Sequence, residues 1–230
     1  MIRTRICEIL EIEHPIVLGG MGSATVPKLV AAVSNGGGLG TQGCYRLSGE
    51  EVHEWTADIR EHTERPFGLN FLLFLIREDN FSAALEEAPP VMVFAWTRPE
   101  QDLKHYFDRA HEAGCKVMFM GSEVEETRRA AEAGADVIVA QGTEGGGHVK
   151  WMGMSVLVPM VVDAVAPVPV LAAGGIADGR GLAAALALGA EGVLLGTRFL
   201  ATNESPLHQN FKQAIVDSDG HDTVLTEIPD

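Results

Sequence analysis

The chain is short of cysteine, of basic charge and of long apolar runs, and each shortage removes a class of protein. Its three cysteines, Cys7, Cys44 and Cys115, stand far apart with no CxxC or CxH pairing. That spacing excludes a disulfide framework and a zinc site and points to reduced thiols in a cytosolic protein. Lys and Arg number 17 against 32 Asp and Glu, a net charge of −15. Nucleic acid, which demands a basic face, is excluded as a partner. No run reaches the ~18 consecutive apolar residues of a membrane-spanning helix, so no membrane partner is expected. The stretch 1–10 carries Glu8 and lacks a continuous apolar core. A signal peptide is therefore not expected, and the expected location is the cytoplasm.

Apolar residues make up 46% of the 230, enough for a sizeable buried core. Eight short apolar runs recur at 15–18, 38–42, 67–71, 91–95, 116–120, 136–140, 168–172 and 192–195, each bounded by glycine or proline. Runs of this length without polar alternation are the pattern of strands buried on both faces. Helical patterns lie between them, most clearly at 26–34, 50–61, 100–113, 123–133, 155–165 and 180–188. One junction repeats: Glu112-Ala113-Gly114-Cys115, Glu132-Ala133-Gly134-Ala135 and Ala187-Leu188-Gly189-Ala190 each end a helix at glycine just before a buried strand. Eight strand–helix units predict a (β/α)8 TIM barrel forming a single domain over 1–230. An open doubly wound sheet is the second choice, since it seldom needs eight such units. The fourth unit, 72–90, has no clear boundaries.

Two glycine loops mark a site. The run from Ala140 through Gln141, Gly145, Gly146 and Gly147 to His148 follows an apolar strand. Its glycines let the backbone approach a flat or charged ligand, and the imidazole at its end is placed to exchange a proton. Gly174-Gly175 leads towards a helix start near Asp178, and Gly196-Thr197-Arg198 follows the last strand. In a (β/α)8 barrel these are the usual phosphate-binding loops. Together they suggest a phosphate-bearing cofactor beside a reactive histidine. Asn70, inside a buried run, and Gln141, at a strand end, offer a donor and an acceptor to the edge of a heteroaromatic ring or to a hydroxyl chain. The run Gly19-Gly20-Met21-Gly22 fits either the flank of a flat ring or a tight turn. His53, His62, His105 and His111 read as solvated helical residues and His14 as structural. Trp96 and Trp151 read as packing or as the wall of a pocket, and Glu144 as a solvated loop carboxylate or a second acid–base group.

These motifs, in order and over nearly the whole chain, resemble the nitronate monooxygenase family, formerly the 2-nitropropane dioxygenases. That family is similar throughout to the FMN-dependent enoyl-acyl-carrier-protein reductases of type II. The matching stretches begin at His14, Gly37, Pro66, Gln141, Ala172 and Gly196. The resemblance implies a TIM barrel that binds FMN non-covalently. It implies that Asn70, Gln141 and Gly146 contact the flavin, and that Gly174, Gly175 and the segment 194–197, with Leu195, Gly196 and Thr197, hold its phosphate end. His148 matches the active-site histidine.

Departures from the family pattern bear on substrate. Family chains continue past the position of Pro229 with helices that cover the active site, an extension expected to be absent or truncated here. Val149-Lys150-Trp151 follows the histidine where many relatives have a small residue, and Leu194 replaces a polar residue. The leading expectation is an FMN-dependent oxidoreductase that converts nitronates or nitroalkanes, as small-molecule substrates, to carbonyl compounds and nitrite. A second expectation is a reductase in which NADH or NADPH reduces FMN for an enoyl thioester or quinone. A third is a non-catalytic flavin-binding or partner subunit whose open barrel mouth seeks a neighbour; homo-oligomer formation is compatible with all three.

Overall fold

Strands covered on both faces need no polar alternation, and the chain builds all of its strands that way. The computed structural model describes residues 2–227. Met1, in the stretch read for a signal peptide, and Pro229, where family chains continue, lie outside the described residues. The strands are β1 (Ile16–Leu18), β2 (Gly40–Gly43), β3 (Phe67–Leu72), β4 (Val91–Ala95), β5 (Lys116–Gly121), β6 (Val137–Gln141), β7 (Val170–Ala173) and β8 (Gly192–Leu195). The helices are α1 (Arg5–Ile9), α2 (Pro27–Asn35), α3 (Gly49–His62), α4 (Glu78–Glu87), α5 (Leu103–Glu112), α6 (Val124–Glu132), α7 (Met154–Val165), α8 (Gly179–Ala187), α9 (Thr197–Leu200) and α10 (Gln209–Asp217).

All strand pairs are parallel, in the order β1-β8-β7-β6-β5-β4-β3-β2. A single bridge, Val17 to Leu39, joins β1 to the approach of β2. Eight parallel strands alternating with helices form a nearly closed (β/α)8 barrel, as the spacing of apolar runs predicts.

Side-chain alternation splits the core into two layers. Val17, Val91, Val93, Met118, Val137, Val139, Leu171 and Ala173 cluster inside the barrel. Their neighbours Leu18, Met92, Phe94, Val117, Phe119, Ile138, Ala140 and Val193 pack outward against the helices. Ile6 and Cys7 of α1, with Leu10 just after it, join the inner cluster and plug the amino-terminal floor. Arg5 anchors that plug, donating from Nε to Glu191 at 2.8 Å and from Nη1 to the Pro167 carbonyl at 3.0 Å.

Local chemistry sets the helix ends. Gly114, Gly134 and Gly189 follow α5, α6 and α8 with φ of 84°, 105° and 93°, the left-handed turn that the repeated junction requires. Ser48 and Glu51 form a reciprocal capping box at the start of α3. In the fourth unit a short 3-10 turn, Leu73–Leu75, precedes α4, and the Arg77 N–H donates to Asn80 Oδ1 at 3.3 Å. The three thiols are free and buried. Burial pushes Cys44 up to about 12 and Cys115 up to about 11, which leaves both unreactive. Of the helical histidines, His62, His105 and His111 are exposed, as expected, and His53 is half-buried against Glu87 at 2.7 Å.

Candidate active site

Residues at the carboxyl ends of the strands converge at one mouth. Asn70, four residues into β3, is buried, and its Nδ2 donates weakly to the Val93 carbonyl at 3.4 Å. Gly20 lies directly against it: a Cβ on Gly20 would stand 2.6 Å from the Asn70 Cβ. The loop after β1 therefore touches the amide because residue 20 has no side chain. The same loop reaches sideways in both directions. A Cβ on Gly22 would meet the Tyr45 ring at 2.6 Å, and one on Gly196 would meet Met21 Sδ at 3.2 Å. Gly20, Met21 and Gly22 thus sit between β3 on one side and the end of β8 on the other.

Gln141 ends β6, buried. Its Nε2 donates to the Gly146 carbonyl at 3.0 Å, which folds the glycine loop back over the strand end. Its Oε1 is buried without a partner among the described residues. Buried polar atoms are nearly always bonded, so an orphaned acceptor here marks a place for a ligand donor. Gly146 faces open space, with nothing within 4 Å of a Cβ placed on it. His148 is exposed at the end of this loop. Its ring lies 4.3 Å from that of Trp96 and 6.3 Å from that of Phe74.

Gly174 and Gly175 follow β7 with φ of 106° and 67°, and Cβ atoms there would press on Gly145 N and Glu144 Cβ, each at 3.1 Å. Leu195 closes β8, and Gly196 and Thr197 open α9. At the start of α8 the Asp178 carboxylate accepts from Arg180 N at 2.9 Å and Gly181 N at 3.4 Å, and Arg180 holds that carboxyl down at about 2.

Glu144 is not a free carboxylate. It accepts the Met154 N–H at the start of α7. Trp151 is 75% exposed, whereas Trp96 stands in the site. Sequence reasoning missed three groups: Phe74, Tyr45 and Glu126. Glu126 accepts the Ser122 N–H at 3.1 Å just beyond β5. Burial holds its carboxyl above the ordinary range, Glu123 adds to the rise, and Lys150 and the Ser122 and Thr97 amides oppose it. The Glu-x-x-x spacing gives no signal for that role.

The residues fit a flavin on two counts: an orphaned buried acceptor at Gln141, and a glycine-lined cradle between Asn70 and the open face of Gly146. Among the described residues no His, Cys, Asp and Glu cluster could hold a metal ion, and no helix is long and apolar enough to cross a membrane.

The family model for nitronate monooxygenase matches residues 3–84 and 78–230. The two matched blocks meet within α4, the unit whose boundaries the sequence left open. A probable nitronate monooxygenase of Staphylococcus aureus (strain JH9) is 33% identical over 271 residues, covering 98% of this chain and 75% of the relative. Among solved structures, FabK from Thermotoga maritima is 42% identical with a TM-score of 0.92, covering 98% of this chain and 71% of that one. A nitroalkane oxidase from Streptomyces ansochromogenes is 29% identical with a TM-score of 0.83, covering 92% and 72%. Fold, mouth and relatives together define a flavin-dependent oxidoreductase built on a TIM barrel. The chain belongs to the nitronate monooxygenase family. That membership sets aside the non-catalytic subunit and leaves an enzyme acting on a small molecule.

Proposed function

We propose that the barrel mouth holds FMN and that the chain oxidises nitronates, or nitroalkanes whose α-carbon proton is taken by His148. In this reading Gly20, Met21 and Gly22 flank the ring system, and Asn70, Gln141 and Gly146 contact it. The main chain of Gly174, Gly175, Leu195, Gly196 and Thr197 holds the phosphate. FMN, when bound, supplies the electron transfer through which oxygen chemistry yields a carbonyl compound and nitrite. The protein's own work is to exclude water, orient the substrate and move one proton at the His148 imidazole. Residues 1–230 are read as one barrel domain, and the free, buried thiols support a cytoplasmic location.

The observation that carries this reading is His148 itself: an exposed imidazole braced by Trp96, on a loop tied down by a glutamine whose other amide atom has no partner. A second reading, an NADH- or NADPH-driven flavin reductase acting on an enoyl thioester or quinone, is favoured by the higher identity to FabK.

The purified protein is expected to be yellow and to release FMN on denaturation. Under argon, a nitronate is expected to change its visible spectrum, and NADH and NADPH to leave it unchanged. Bleaching by a nicotinamide and silence towards nitronates selects the reductase. His148→Ala is expected to keep FMN and to lose roughly 10²–10⁴-fold in turnover of neutral nitroalkanes. Equal turnover by the variant removes His148 from the mechanism.

A further inference from the structure

We propose that Trp96 is a positioning residue that sets the orientation of the His148 imidazole; the inference rests on the role given to His148 above. Trp96 comes immediately after β4, with φ at 55°. Bulky side chains rarely occupy that left-handed region, and residues held there collect at functional sites. One contact keeps it so: the Phe74 N–H donates to the Trp96 carbonyl at 3.2 Å.

The indole held in this way faces the histidine loop. A Cβ on Gly147 would lie 3.3 Å from Trp96 Cζ2, so the ring lies against the backbone one residue before His148. The two rings meet at 4.3 Å with 60° between their planes. Phe74 completes a triangle, 6.2 Å from Trp96 and 6.3 Å from His148. The Trp96 Nε1–H is buried with no partner among the described residues. A buried indole normally finds an acceptor. Here ring packing against His148, and not hydrogen bonding, decides how the indole lies. Among the described residues the imidazole has no hydrogen-bonded carboxylate to orient it, as His53 and His111 have, so an aromatic wall takes that place.

The test compares Trp96→Leu and Trp96→Phe with the parent, each also in the His148→Ala background. The first readout needs no turnover. In carbon–proton NMR spectra the His148 Cε1–H resonance, identified by its loss in His148→Ala, is expected to be displaced by the indole ring current. It should move in Trp96→Leu towards the position of the exposed His221, and only part of the way in Trp96→Phe. The second readout is the ratio of turnover on a neutral nitroalkane to turnover on its preformed nitronate. That ratio is expected to fall on the order of 10–100-fold in Trp96→Leu, the size of effect a small misplacement produces. Trp96→Phe should restore most of it. Without His148 neither substitution should change the ratio further. A His148 resonance unmoved in both Trp96 variants, or an equal drop in the ratio without His148, overturns the proposal. A yellow parent protein that turns over neither substrate overturns the nitroalkane reading alone, and the NMR comparison still decides the role of Trp96.

Discussion

The Glu144 carboxylate takes the first N–H of α7, with Met154 N at 2.9 Å from one oxygen and 3.1 Å from the other. Gly153, at the cap position, has no side chain to do this. A carboxylate from the preceding loop therefore serves as the cap, and its charge suits the positive end of the helix. The same side chain touches Gly175, so one residue ties the histidine loop to both α7 and the loop after β7. Glu144→Ala is expected to cost about 1 kcal/mol in urea unfolding and to lower turnover by loosening the histidine loop. Glu144→Gln, which keeps the acceptor, should lose less on both counts. No change in either measurement would show that the loop is held by its glycines alone.

Two glycines at the mouth separate cofactor contact from protein packing. A methyl on Gly146 enters open space, whereas one on Gly20 enters the Asn70 side chain. Gly146→Ala should therefore leave the melting temperature unchanged while weakening FMN binding, measured by fluorescence titration. Gly20→Ala should lower both, since the methyl cannot fit without moving the β1 loop. Undiminished affinity in Gly146→Ala would place the flavin elsewhere.

The Glu126 carboxyl titrates above the ordinary glutamate range because it is buried. A raised folded-state value means that folding favours the protonated acid. Its contribution is fully present below the ordinary value of about 4.3 and is lost as pH rises through the folded value. The stability of the parent protein relative to Glu126→Gln should therefore decline across that window and level off above it. A difference that instead grows with pH would mean that the charged form is the one the fold prefers.

The barrel could be read from the chain in detail. The runs at 91–95 and 192–195 became β4 and β8 at those same bounds, because strands covered on both faces leave unbroken apolar runs. The second strand begins at Gly40, not at 38. Gly38 lies in the turn, and its own packing against the Ile16 carbonyl could not be seen locally. His148, Gln141 and Asn70 stood out as polar residues attached to apolar runs. Trp96 read only as packing or as a pocket wall, because its left-handed backbone and its Phe74 partner, distant in sequence, leave no local signal. Glu144 looked like any loop carboxylate for the same reason: its partner lies ten residues on, at a helix start whose own cap residue is glycine.

A hoop gives way where its stitches are fewest. Elsewhere neighbouring staves share three to five paired positions, but between β1 and β2 only Val17 meets Leu39. The exchanges of Leu18 N with the Leu39 carbonyl and of Leu39 N with the Ile16 carbonyl, with the Thr41 hydroxyl on the Leu18 carbonyl, reinforce that joint. Both staves run straight into Gly20, Gly22 and Tyr45. Slack at this joint widens the rim while the other seven ladders stay laced, so deuterium should enter at Leu18 and Leu39 before it reaches Val93 or Met118.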